Sequence, residues 1–249
     1  MNEMSVSYEK KIGELTNKLE RLSKNCKRAR FVQIKNKWCE EINDYCCVNK
    51  CLHEINTNNI KCIKGNGFVK LIDDENCFNR YVEVYVENNF AKLEENCINY
   101  SLFYFEIKVK REGDNPAHNW IKIGLENINK AVINLLPVYG IIENERCEVF
   151  KLEEFSWNDG DIFGCGLVYP PTDKLAKKLP YISLLKMETK LVSKAVLLKD
   201  NYDSYEQVVW LRCCSVEANF GNNLEIKPFC YDITKHFVLK EFYEDSDVD

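Results

Sequence analysis

Four cysteines and one histidine lie within fifteen residues in the segment CEEINDYCCVNKCLH, which runs from Cys39 to His53. Thiolate and imidazole groups are the ligands that structural zinc prefers, but such a site needs four of them in a tetrahedron, normally delivered by two closely spaced pairs. Cys47 and Cys51 are spaced for one pair, whereas the second pair would have to combine an upstream cysteine with His53. This irregular spacing favours free thiols and no bound metal. The alternative is a zinc site with the ligands Cys39, Cys47, Cys51 and His53.

A second candidate for chemistry is the segment NDGDIFGCGLVYPP, Asn158 to Pro171, in which three glycines surround an aspartate and a cysteine. A phosphate-binding loop would need a helix directly after the glycines, but the following LVYPP has strand composition and ends in proline. Cys165 as a nucleophile would need a histidine or a helix N-terminus to stabilise its thiolate, and none of the three histidines stands in a catalytic signature. We therefore expect an inert thiol, a tight turn at Gly160, and room at Gly164 and Gly166 for another backbone or a bulky side chain.

The composition is that of a globular protein with a small negative charge. Lys and Arg total 34 against 39 Asp and Glu, which gives a net charge of −5. Such a chain has no general affinity for nucleic acid or for an anionic membrane, so neither partner is expected. The N-terminus lacks an apolar signal sequence, and no segment approaches about 20 uninterrupted apolar residues. Thirteen cysteines, read mostly as free thiols, indicate a reducing compartment. The sequence thus predicts a cytoplasmic protein without signal peptide, transmembrane segment or cofactor, and a nuclear location is the alternative.

The N-terminal residues carry a heptad pattern. Apolar side chains recur at alternating spacings of four and three residues from Tyr8 to Cys26, with charged residues between them. This stripe predicts an amphipathic, coiled-coil-like α-helix over residues 1–30. The helix would form a homodimer or dock on a partner, or it would fold its stripe back on its own domain. At the other end of the chain, residues 239–249 are an acidic tail that we expect to be frayed.

Beyond residue 31 the helical period gives way to short runs of strand composition separated by turn signals. The alternation is clearest in YFEIKVK, in which Phe105 and Ile107 share one face while Glu106 and Lys108 share the other. No helix long enough for a crossover connection separates these runs, so a parallel sheet is disfavoured. The sequence predicts an all-β, antiparallel β-sandwich with an N-terminal α-helix.

Several of these runs, taken in order, resemble the SPRY (B30.2) family. The segments that carry the resemblance are FYFEIKV at Phe103 to Val109, WIKIGL at Trp120 to Leu125, GDIFGCGLVY at Gly160 to Tyr169 and VEANFGNNLEIKPFCYDI at Val216 to Ile233. The match extends upstream to Trp38 and covers residues 36–238. The family's usual FFTKNG hairpin is replaced by ISLLKMETKLV at Ile182 to Val192, so we expect a hairpin with a looser turn.

SPRY domains resemble one another in being β-sandwiches that bind peptides or proteins through loops at one edge, and they are not enzymes as a class. The resemblance therefore implies a non-enzymatic protein-interaction module, an adaptor or effector. In this sequence the variable loops contain tyrosines, which offer rigid amphipathic contacts, and amide and carboxylate side chains that bind backbone groups. The residues expected to bind the partner are Asn115, Asn119, Tyr139, Tyr169, Tyr202, Asp203 and Tyr205.

Two further expectations follow from the residues themselves. Each tryptophan, including Trp157, is expected to pack in the core or against a sheet, because an indole must bury a large area. The alternative function is that of a metal- or redox-responsive protein that uses the Cys39 to His53 cluster, with the sandwich as its scaffold.

Overall fold

The computed structural model describes residues 27–39, 68–70, 82–93, 97–112, 118–153, 155–172, 178–187 and 192–239. In this part of the chain fifteen β-strands form two sheets, and a short 3₁₀ helix, Ile233–Lys235, lies near the C-terminal end. The strands are β1 (Ala29–Phe31), β2 (Trp38–Cys39), β3 (Phe68–Lys70), β4 (Val82–Val86), β5 (Phe90–Ala91), β6 (Tyr100–Arg111), β7 (Trp120–Asn127), β8 (Val132–Leu136), β9 (Ile141–Glu143), β10 (Val149–Lys151), β11 (Ile162–Tyr169), β12 (Tyr181–Met187), β13 (Val192–Leu197), β14 (Ser204–Arg212) and β15 (Cys214–Asn219).

The expected antiparallel β-sandwich is confirmed. The first sheet has the order β13-β12-β11-β6-β15-β3, and the second has the order β10-β9-β8-β7-β14-β4-β2. Alternate residues of β6 and β7, such as Phe105 and Ile123, point between the sheets and form the main core. Among the described strands, the one parallel pairing joins β1 to the first half of β6.

The polar face of β6 departs from the expected pattern at Glu106. Lys108 is exposed as the alternation predicts, but Glu106 is only 3% exposed. Residues 227–238, which we call the C-terminal strap, cover this face. The Glu106 carboxylate accepts hydrogen bonds from the backbone N–H groups of Cys230 at 3.0 Å and Tyr231 at 2.9 Å. A buried carboxylate is tolerated here because backbone donors satisfy it.

β1 and the C-terminal strap hold each other in place. The Ala29 N–H donates to the His236 carbonyl oxygen at 3.1 Å, and the Val238 N–H donates to the Lys27 carbonyl oxygen at 2.8 Å. Ala29 and Val238 belong to one apolar cluster on the outer side of the first sheet. Both ends of the described chain are therefore anchored on the same sheet face.

These contacts correct the predicted domain limits. The helix was expected to extend to residue 30, but Ala29–Phe31 form strand β1, because the small, buried Ala29 side chain packs beside Tyr100 of β6. Sandwich contacts begin at Lys27 rather than at residue 36. Residues 1–26 and 240–249 lie outside the described residues, so the N-terminal helix and the frayed tail stay predictions. The replaced hairpin persists, since β12 and β13 pair antiparallel, and its turn also lies outside the described residues.

The glycines of β11 make room for a tyrosine of the neighbouring strand. A Cβ at Gly164 would lie 2.1 Å from the Tyr104 hydroxyl oxygen, whereas a Cβ at Gly166 would first meet the Leu102 side chain at 3.1 Å. This confirms the expected bulky neighbour. Cys165 between them is buried, and burial raises the pKa of its thiol well above its ordinary value, which supports the prediction of an inert thiol.

Replacing Gly164 by alanine should therefore strain the first sheet. The new methyl group would overlap the Tyr104 ring, which is fixed by a 3.1 Å hydrogen bond to Glu106. We expect Gly164→Ala to lower the free energy of unfolding by about 2 to 3 kcal/mol in denaturant titrations. Gly166→Ala is the matched control, and its cost should stay within about 1 kcal/mol. Equal costs for the two variants would contradict the role of Tyr104.

The buried imidazole of His236 should make stability sensitive to acid. Its Nε2 lies 3.3 Å from the Tyr181 hydroxyl and its Nδ1 lies 3.0 Å from the Tyr231 hydroxyl. Burial lowers its pKa from 6.5 to about 4. The unfolded chain therefore binds this proton more tightly, and the stability that the neutral imidazole contributes above pH 6.5 is lost as the pH falls towards 4.

We expect the wild type to lose about 2 kcal/mol more than His236→Gln when the pH falls from 7 to 4.5, because glutamine does not titrate. Denaturant unfolding of both proteins at the two pH values measures this difference. All other titrating groups are shared, so equal losses would show that His236 is not the cause.

Candidate interaction surface

The sandwich presents loops at two opposite ends. β7 runs from Trp120, which pairs with Arg212 of β14, to Asn127, which pairs with Tyr205. Near Asn127 lie residues 128–131, 144–148 and 198–203, which we call the Tyr202 end. Near Trp120 lie residues 111–112, 118–119, 137–140, 152–153, 155–161 and Cys213, which we call the Trp157 end.

The predicted partner-binding residues do not form one surface. Tyr169, Tyr202, Asp203 and Tyr205 lie at the Tyr202 end, whereas Asn119 and Tyr139 lie at the Trp157 end, and Asn115 lies outside the described residues. The expectation of a single edge is corrected by the strand register, since β7 and β8 place the turns before and after β8 at opposite ends.

Three of these side chains are buried and bonded within the fold, so they are not part of the accessible surface. Tyr169 is 2% exposed and Tyr205 is 0% exposed. The Tyr169 hydroxyl donates to the Tyr202 carbonyl oxygen at 3.0 Å, and the Tyr205 hydroxyl lies 3.5 Å from Glu145 Oε1. Burial raises the pKa of both phenols, so they remain neutral. Asn119 is equally enclosed, and its amide donates to the carbonyl oxygens of Glu112 and Cys213.

Polar contacts brace the remaining Tyr202-end residues. The Tyr202 hydroxyl accepts a hydrogen bond from the Asn129 amide at 2.9 Å, and its ring packs edge-on against Tyr205. The exposed Asp203 carboxylate pairs with Lys92 at 3.3 Å. These contacts hold residues 198–203 against the sandwich, and the charges here are largely paired.

The Trp157 end exposes an apolar and an aromatic side chain on a turn that packs against Phe155. Tyr139 is 60% exposed and Val138 is 36% exposed in the turn between β8 and β9. The turn is closed by Gly140, whose φ of 60° falls in the left-handed region. A Cβ at Gly140 would lie 3.3 Å from Phe155, so this turn and the segment 155–161 are neighbours.

Arg111 and Trp157 are the functional candidates that the sequence did not single out. The Arg111 guanidinium lies 4.1 Å from the centre of the half-buried Trp157 ring, and its Nη2 donates to the Trp157 carbonyl oxygen. The expected packing of Trp157 is thus made against an arginine as well as against the core. The signal in the sequence was an arginine directly after an alternating strand and a tryptophan just before the Asn-Asp-Gly turn.

A buried ion pair fixes the segment that carries Trp157. The Lys186 ammonium lies 3.0 Å from Asp161 Oδ2 and also donates to the Ser156 carbonyl oxygen. Asp161 Oδ2 in turn accepts from the Asn158 N–H at 2.6 Å. Because the ammonium is almost fully enclosed, these bonds are shielded from solvent and position residues 156–161 firmly.

The predicted metal site falls largely outside the described residues. Cys47, Cys51 and His53 are not described, and neither is the side chain of Cys39. Among the residues that are described, no three His, Cys, Asp or Glu side chains form a group suited to a metal ion. No helix in the same part of the chain is long and apolar enough to span a membrane.

No protein-family model matches the chain, and no curated protein matches it. Among solved structures, the chain is similar to the SPRY domain of human HERC1, with 9% sequence identity and a TM-score of 0.43 over 65% of this chain and 93% of that one. A human SPRY domain shares 15% identity with a TM-score of 0.43, over 67% and 98% of the two chains. A Lotus tetragonolobus seed lectin shares 7% identity with a TM-score of 0.37, over 66% and 92%.

SPRY domains are therefore among the solved structures that resemble this chain, as the sequence motifs predicted. All three TM-scores are below 0.5, and neither the SPRY domains nor the lectin assign a ligand to this chain.

The hydrogen bond from the Tyr169 hydroxyl to the Tyr202 carbonyl oxygen should hold residues 198–203 against the sandwich. We expect Tyr169→Phe to cost about 1 kcal/mol of stability and to increase amide hydrogen exchange in residues 198–203. Tyr139→Phe is the control, because its side chain is largely exposed and its hydroxyl is not needed by the fold. Unchanged exchange in residues 198–203 of Tyr169→Phe would refute this role.

Proposed function

We propose that the chain is a non-enzymatic protein-interaction module that binds a peptide or protein partner through the Trp157 end. The observation that carries the proposal is the grouping of Tyr139, Trp157 and Arg111 at one end of the sandwich. Tyr, Trp and Arg are the residue types that dominate binding energy at protein interfaces. The Tyr202 end offers a partly buried tyrosine and paired charges, so it is the weaker candidate.

The rigidity of the Trp157 end also favours it as the binding surface. The Trp157 segment is held by the buried Lys186–Asp161 ion pair, and the Tyr139 turn packs against Phe155. A surface that is already ordered loses little conformational freedom on binding, so more of its contact energy appears as affinity.

The non-enzymatic part of the proposal is supported by the state of two buried side chains that could act as nucleophile or base, Cys165 and His236. Cys165 is enclosed with a raised thiol pKa, and His236 is enclosed between two tyrosine hydroxyls. Both side chains are packed in the interior of the fold. An adaptor or effector role and a cytoplasmic location belong to this proposal, as does a homodimer through the predicted N-terminal helix, which would raise avidity for a multivalent partner.

The experiment that tests this function is affinity capture from a lysate of the protein's own cell type, with mass-spectrometric readout. The variant Tyr139→Ala/Trp157→Ala removes the exposed ring and the indole of the Trp157 end. The control Ile128→Ala/Asp203→Ala removes two exposed side chains of the Tyr202 end. We expect the first variant to lose a partner about 30-fold in affinity and the control to retain it.

Unfolding curves of both variants would confirm that they are folded before the comparison is made. A partner that is retained by Tyr139→Ala/Trp157→Ala and lost by the control would contradict the choice of end. A wild type that captures nothing specific would contradict the interaction function itself.

A further inference from the structure

Among the described residues, the Arg111 guanidinium has no counter-ion. The neighbouring cations are paired, Lys110 with Glu112 at 3.7 Å and Lys186 with Asp161 at 3.0 Å. The Asp159 carboxylate accepts the backbone N–H of Arg111 at 2.6 Å. Across the described residues, the guanidinium itself forms no ion pair.

Not every hydrogen-bond donor of this guanidinium has an acceptor among the described groups. Its Nη2 donates to the Trp157 carbonyl oxygen, and its Nε is enclosed but has no acceptor among the described groups. A buried donor without an acceptor is costly, but because Nε is enclosed, an incoming carboxylate can reach the guanidinium only through its Nη groups. The contact with the Trp157 ring at 4.1 Å and the hydrogen bond to the Trp157 carbonyl oxygen hold the guanidinium in place, which prepares it to bind an acceptor.

A second arginine adds positive charge nearby. Arg212 ends β14 directly before the turn at Cys213, and Cys214 pairs with Arg111 across the first sheet. The Arg212 Nε donates to the His118 carbonyl oxygen at 2.9 Å, and within the described ranges Arg212 also forms no ion pair. Two arginines that form no ion pair with any described residue thus lie on either side of the Cys213 turn in the strand register.

We propose that the Trp157 end recognises an acidic side chain, Asp or Glu, of a peptide partner, with Arg111 as the residue that binds its carboxylate. This inference rests on the function proposed above. A carboxylate matches the fork of one guanidinium with two parallel hydrogen bonds. One guanidinium balances the single charge of a carboxylate, whereas a dianionic phosphate would keep an unbalanced charge beside the exposed Asp159. The partner is therefore an acidic peptide rather than a phosphopeptide.

The test uses the full chain and four synthetic hexapeptide pools, which share random positions and differ in one fixed residue: Glu, Gln, Lys or phosphoserine. We expect the wild type to bind the Glu pool about tenfold more tightly than the Gln pool. Arg111→Gln should lose this preference, and Arg111→Lys should keep part of it. Lys92→Gln, which removes a paired cation at the Tyr202 end, is the matched control and should keep all of it.

If Arg111→Gln fails to fold, the wild type and Arg111→Lys carry the test, because the Glu preference must shrink as ionic strength rises and must be weaker in the lysine variant. Equal binding of the Glu and Gln pools, tighter binding of the phosphoserine pool, or a full Glu preference in folded Arg111→Gln would each overturn the proposal. If the wild type binds the Glu and Gln pools equally and Tyr139→Ala/Trp157→Ala binds neither, the interaction function stands and only the acidic partner is rejected.

Discussion

The burial of both faces of β6 is the constraint on which the rest of the structure depends. Its inner side chains, such as Phe105, fill the core between the sheets, which any sandwich strand must do. Its outer side chains, Tyr104 and Glu106, are also buried, so this side of the first sheet needs a cover. The C-terminal strap provides it and satisfies the carboxylate with backbone donors. The Tyr104 ring leaves no room for a side chain at the neighbouring position of β11, which explains Gly164.

The same strand positions the candidate interaction surface. β6 ends at Arg111, and β11, its antiparallel neighbour, begins just after the segment that carries Trp157. The arginine and the tryptophan therefore meet because two paired strands place them at one end of the sheet. The Lys186–Asp161 ion pair adds β12 to this support. A rigid frame of three strands thus holds the guanidinium against Trp157, and it costs little entropy to use that guanidinium in binding.

The sequence predicted the sandwich well and the surface poorly, for physical reasons. Alternation and turn residues are local signals, so they predicted the strands, the Gly160 turn and the inert Cys165. Tyr169 and Tyr205 continue the inward-facing alternation of β11 and β14 and pack in the main core, so assigning them to loops placed these strand ends wrongly. The contact between Arg111 and Trp157, by contrast, joins residues 46 positions apart and becomes visible only from the strand register. The helix limit was wrong at Ala29 because β1 pairs with a strand that is distant in sequence.

The most direct test of the central claim is a hydrogen-exchange footprint of the wild-type chain with and without its captured partner. If the Trp157 end is the recognition surface, added protection should appear in residues 137–140 and 155–161, and residues 198–203 should exchange as they do in the free protein. Protection confined to residues 198–203, with residues 137–140 and 155–161 unchanged, would contradict the account.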